Sequence, residues 1–125
     1  MGEHEKSKSD LRMAKPMSIV NDNRVGIAYD ITYGPNSWTL PAGSSRTGID
    51  VSIHSIVVGV SEPPTSALPV TITNTANDTT YLVEATQGNS RTALNVGQAY
   101  QFDLGLGSVT LVDTEPARRH EEERR

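Results

Sequence analysis

Asp50, Ser52 and His54 are the residue types of an orienting acid, a nucleophile and its base, set at alternate positions of one short segment. Alternate residues of a strand share a face, so the order suits nucleophilic catalysis at first sight. Reach argues against it. Side chains at i and i+2 stand about 6.6 Å apart along a strand, whereas a serine–histidine hydrogen bond must close to about 2.6–3.2 Å. Val51 and Ile53 would take the opposite, inner face and leave the three polar residues directed to solvent. Asp50, Glu84 and His54 are the best residues an enzyme could draw on here. No phosphate loop accompanies them, since Gly105-Leu106-Gly107 lacks a third glycine. The chain is read as non-enzymatic and without a cofactor.

Two loops rich in side-chain oxygen come next. Asn21, Asp22 and Asn23 correspond roughly to Asn74, Asn77 and Asp78 in the second half of the chain. Ca²⁺ takes six to eight oxygen ligands, and Asp22, Asn23, Asn77 and Asp78 are the residues that would hold a cation. Each loop offers a single carboxylate, and Asn and Asp also favour turns by bonding their own backbone. Turn formation is therefore the preferred reading. His4 and His120 lie near the two ends and His54 stands alone, which leaves no zinc cluster.

Trp38, Tyr33 and Asn36 form the third candidate, a ligand or interface contact. Tyr29, Tyr81, Tyr100 and Phe102 complete the aromatic set. Tyr29 aligns internally with Val83, as a core position would, whereas Trp38 aligns with Thr92. Trp38 is therefore the best single position for a ligand or interface contact, although the preferred reading of a lone tryptophan in a domain this small is a core anchor, since its large apolar area usually goes inside.

That repeat governs the elements that position these residues. Gly34, Leu40 and Gly43 recur 54 residues later as Gly88, Leu94 and Gly97. Ser18–Asn21 recurs 53 residues later as Thr71–Asn74, so one residue is gained between the two blocks. Such self-similarity signals one supersecondary unit used twice. Alternating apolar residues from Val25 to Tyr33 and from Leu68 to Asn74 have the period of strands, and Gly34-Pro35-Asn36, Pro41-Ala42-Gly43 and Gln87-Gly88-Asn89 are turns. Ile49, Val51 and Ile53 are in phase, but Ile56, Val58 and Val60 are in the opposite phase. The switch near His54 predicts a bulge or a strand that passes from one sheet to the other.

The expected fold is all-β: an antiparallel β-sandwich, or a small barrel, of about eight to nine short strands built from two similar halves. Residues 17–113 form the domain, with halves 17–60 and 68–112 joined by a Pro-containing linker at 61–67. Residues 1–16 and 114–125 are polar tails, expected to be disordered, the second weakly helical through i,i+4 Arg/Glu pairs.

Composition narrows the partners. The 125 residues include no cysteine, which excludes disulfides and thiolate metal sites. Residues 17–113 hold Arg24, Arg46 and Arg91 against eight carboxylates, a net charge of −5 within a whole-chain charge of −4. A lysine-free acidic body is a poor match for phosphate backbones, so no nucleic acid is expected. No apolar run is long enough for a membrane span, and no signal-peptide core is seen at the N-terminus. A cytoplasmic location, or a place in an assembled particle, follows as the expectation. The expected role is a structural or protein-interaction module whose partner is itself, as a homo-oligomer, or another protein. The alternative is a glycan- or small-ligand-binding module using the Asn/Asp loops and Trp38.

Overall fold

The computed structural model describes residues 14–61, 66–77 and 82–114. The expected tails fall almost wholly outside these residues, as do Asp78 and Tyr81. Lys15, grouped with the tail for its polarity, is an integral part of the body and only 2 % exposed.

Among the described residues ten strands build two antiparallel sheets. The first half supplies β1 (Pro16–Asn21), β2 (Tyr29–Tyr33), β3 (Asn36–Leu40), β4 (Ser45–Asp50) and β5 (Ile56–Gly59). The second supplies β6 (Pro69–Asn74), β7 (Val83–Gln87), β8 (Ser90–Leu94), β9 (Ala99–Asp103) and β10 (Val109–Asp113), with a 3₁₀ turn at Leu104–Leu106. The sheets run β4-β1-β6-β9 and β3-β2-β5-β10-β7-β8. Both have free ends, so the sandwich is realised and the barrel is not. The expected eight to nine strands become ten because the Ile49–Val60 run is two strands. β4 belongs to the four-stranded sheet and β5 to the six-stranded one, which is the phase switch near His54. The long strand expected from Val25 is shorter, since Val25 is exposed and pairing starts at Tyr29.

Each strand of the first half has its counterpart five strands later, and the pairing obeys a pseudo-two-fold axis. In one sheet Ile19 pairs with Ile72, its own repeat equivalent. In the other, Val57 pairs with its equivalent Thr110. Residues on either side of these two points are exchanged by the same rotation: Met17 faces Asn74 as Asn21 faces Val70. β1 and β6 even share one burial alternation, partly exposed then buried. The apolar side chains that this alternation turns inward form a single core from both halves, including Met17, Ile19, Tyr29, Ile31, Ile72 and Leu111. Neither half could cover its own apolar face, so the interface between halves is the core itself.

The one-residue slip in the repeat has a structural cause. Between Met17↔Ile49 and Ile19↔Arg46, β1 advances two residues while β4 advances three. The extra residue is a β-bulge in β4, where Gly48 takes φ +76°. β9 pairs with β6 in unbroken register from Ala99 to Asp103. The loop between β6 and β7 gains one residue over its counterpart, and the bulge in β4 restores the offset from 54 to 53.

Candidate functional site

Asp50, the acid of the trio that looked most like chemistry, turns out to be a repeated anchor of the two halves. The Asp50 Oδ1 accepts the backbone N–H of Lys15 at 2.9 Å, the N–H of Ser52 at 2.9 Å and the Ser52 hydroxyl at 2.6 Å. At the equivalent place Asp103 Oδ1 accepts the N–H of Leu68 and of Gly105, each at 2.8 Å. Each carboxylate thus ties the start of its half's first strand to the turn that leaves its fourth. A backbone bond runs alongside in both cases, Val51 N–H to Lys15 O at 3.1 Å and Leu104 N–H to Leu68 O at 2.8 Å.

Residues 51–54 are therefore a turn and not a strand, which corrects the expected geometry. Val51 is buried but Ile53 is 60 % exposed, so the two do not share an inner face. Asp50 and Ser52 do touch, because the turn folds them together. Ser52 and His54 make no hydrogen bond with one another; the Ser52 hydroxyl is turned to Asp50 and the His54 ring lies edge-on to Tyr33 at 5.1 Å. The turn borders a shallow groove of about 360 Å³ lined by Ser52, His54, Val112 and Asp113 among others. Asp113 there is paired with the buried ammonium of Lys15, which also donates to Leu82 O at 3.1 Å. Glu84 sits on β7, 3.9 Å from the exposed Arg91.

The Asn-rich loops are anchored the same way. Asn21 is fully buried. Its Nδ2 donates to Ile27 O at 3.0 Å and Leu40 O at 2.9 Å, and its Oδ1 accepts the Asn23 N–H at 3.1 Å. Asn74, also fully buried, repeats the pattern: Nδ2 to Leu94 O at 3.3 Å, Oδ1 from Ala76 N–H at 3.1 Å. Asn23, a candidate ligand, spends its Oδ1 on the N–H groups of Val25 and Ile27 at 3.0 and 3.1 Å. Its true counterpart is Ala76, not Asn77, so the oxygen set is not duplicated. Asp22 accepts the Thr71 hydroxyl, Asn77 is exposed, and Asp78 lies outside the described residues. Among the described residues no cluster of three or more metal-ligating side chains occurs.

The aromatic candidates do converge. Tyr33 and Asn36 face each other across the β2–β3 hairpin, and Trp38 lies two residues further along β3. The Tyr33 and Trp38 rings stack with centroids 5.7 Å apart and planes at 26°. Arg46 of β4 lays its guanidinium 3.8 Å from the Trp38 ring centroid. Sequence reasoning missed Arg46, because its contact joins edge strands of different sheets. The run Arg46, Trp38, Tyr33, His54 thereby closes one lateral rim of the sandwich. The opposite rim carries Tyr100, Thr92, Gln87 and Gly107 at corresponding positions. One shared function survives the difference: the Tyr33 hydroxyl donates to Asp50 O at 2.8 Å, and Gln87 Nε2 donates to Asp103 O at 2.7 Å. Burial, reinforced by the nearby Asp50 charge, pushes the Tyr33 phenol above its usual range. Burial does the same to Tyr29, whose hydroxyl donates to Pro69 O at 2.7 Å.

The paired hairpin glycines offer a controlled comparison. Gly34 and Gly88 have φ of +57° and +61°, where any side chain costs about 1–2 kcal/mol. A Cβ on Gly88 would meet nothing within 4 Å, whereas one on Gly34 would sit 2.5 Å from the His54 ring. Gly34→Ala is expected to lower stability clearly more than Gly88→Ala in urea denaturation. Adding His54→Ala should restore the Gly34 variant to the level of the Gly88 one.

No family model, curated protein or solved structure matches the chain, so its function rests on the geometry alone.

Proposed function

We propose that this chain is a non-enzymatic structural or protein-interaction β-module, a self-associating subunit of a larger assembly. The observation that carries the reading is the state of the sheet edges. Among the described residues β3, β4, β8 and β9 end the two sheets; their sequences contain neither lysine nor proline, and of the four β4 carries a bulge while β3, β8 and β9 do not. Monomeric sheet proteins commonly guard such edges with those residues, because an unpaired row of N–H and C=O groups recruits another strand. The internal polar residues support the same reading. Asp50, Asp103, Asn21 and Asn74 are engaged in equivalent backbone anchoring in both halves, which supports a structural role for them.

The glycan-binding alternative draws less support. A sugar stacks on an open aromatic face, and the Trp38 face is already met by the Arg46 guanidinium. Nucleic acid and membrane stay outside the proposal: the body is acidic, and among the described residues no helix is long and apolar enough to cross a bilayer. Sedimentation velocity of the full chain over a wide concentration range tests the reading. A discrete species larger than the monomer is expected; a monomer at every concentration would overturn it.

A further inference from the structure

Resting on the self-association reading, we infer that the chain pairs with a second copy of itself through β9, antiparallel and two-fold about Gln101. Among the described residues four edges are open, and they are not equivalent. β4 is twisted by its bulge at Gly48, a device that blunts strand addition. β3 presents Trp38, already joined to Arg46 across the sheets. β8 exposes Ser90, Arg91 and Ala93 and half-buries Thr92, with no apolar side chain larger than alanine left uncovered. β9 is regular over its whole length and carries two half-buried rings, Tyr100 and Phe102, at the margin of the core.

The backbone of β9 is oriented for the purpose. Leu104 donates to Leu68 O in the β6–β9 register, so Tyr100 and Phe102 are the positions hydrogen-bonded to β6. Antiparallel pairing alternates, so the N–H and C=O of Ala99 and Gln101 and the N–H of Asp103 point away from β6. Asp103 O is met by Gln87 Nε2. A second β9 placed with Gln101 on the two-fold axis exchanges both bonds between the two Gln101 residues. Asp103 N–H then reaches Ala99 O of the other copy, and the symmetric bond follows. Tyr100 falls opposite Phe102 of the other copy in the closer, non-hydrogen-bonded pairing, where aromatic pairs add most. Outer-face neighbours are Ala99 against Asp103 and Gln101 against Gln101, with no like charges opposed. A two-fold contact requires this self-complementarity. The four-stranded sheet would become a continuous eight-stranded sheet across two copies.

The native chain has no cysteine, which makes the test direct. A hydrogen-bonded antiparallel pair holds its Cα atoms about 5.5 Å apart, inside the roughly 4.4–6.8 Å that a disulfide spans. Under mild oxidation the full chain carrying Gln101→Cys is expected to form a covalent dimer. Arg91→Cys, exposed on the β8 edge, is the control and should remain largely monomeric on a denaturing gel. Gln101→Pro removes an outward N–H without breaking the β6–β9 ladder. It should stay folded by circular dichroism while the native mass falls by half. An oligomeric wild type, no excess of 101 cross-links over 91, and an unchanged mass for Gln101→Pro would overturn the β9 assignment alone. A wild type that is monomeric throughout, with both cysteine variants silent, would overturn self-association as well.

Discussion

Asn21→Asp is expected to abolish the folded state near neutral pH, or to leave it several kcal/mol less stable, despite replacing one atom group with another of the same size. Asn21 Nδ2 lies between two carbonyl oxygens, of Ile27 and Leu40, with no solvent access. An aspartate would set a buried negative charge against both. Leaving an uncompensated buried charge typically costs about 3–5 kcal/mol, a large part of the total stability of a small domain. The sign of its pH dependence follows. The protonated form can donate to one of the carbonyls, so the introduced carboxyl binds its proton more tightly folded than unfolded. Stability of the variant should be greatest below the unfolded carboxyl range, near pH 4, and decline as pH rises through it. Guanidinium titrations at pH 3.5 and pH 7 check both points. The wild type should not show this recovery on acidification.

Asp103→Ala should be the second large effect, at about 2–4 kcal/mol. Two N–H groups, of Leu68 and Gly105, lose a charged acceptor together, and each unsatisfied donor costs about 1–3 kcal/mol when buried. Leu68 is fully buried, so water cannot easily replace the carboxylate there. Asp103→Asn keeps an acceptor oxygen in place and should recover part of the loss. Asp50→Ala should behave alike, since Asp50 makes the equivalent bonds to Lys15 and Ser52. Parallel losses in the two variants, measured as shifts in denaturant midpoint, would identify one device used twice. An Asp50→Ala chain of undiminished stability would break that equivalence.

Much of this architecture was legible in the sequence because it is written twice. The alternation in Ser18–Asn21 and Thr71–Asn74 gave the central strands of one sheet, and the Gly34 and Gly88 turns gave the hairpins β2–β3 and β7–β8. The opposite phases of Ile49–Ile53 and Ile56–Val60 marked the passage between sheets. Other features depend on tertiary contact, which no local pattern encodes. Ile53 looked inward by parity, but the Asp50–Ser52 bonds convert 51–54 into a turn and parity ceases to apply. Lys15 looked like tail by composition, and partners distant in sequence, Asp113 and the Leu82 carbonyl among them, make its burial tolerable. At the rim, Tyr33, Trp38 and Asn36 were visible as aromatic and turn residues, but Arg46 was not, since it arrives from the other sheet. The duplicated aspartates were within reach of the sequence: Asp50 and Asp103 stand 53 residues apart, the same offset as the β1 and β6 strands. Aligning polar residues as well as apolar ones would have separated these anchors from catalytic candidates.

Native mass spectrometry of the full chain as purified, with no chelator or ligand added, tests the central claim most directly. The account predicts a closed oligomer of even stoichiometry whose mass is a whole multiple of the 13.5 kDa chain. A monomer carrying a discrete additional mass would contradict it and would mark the chain as a ligand-binding module.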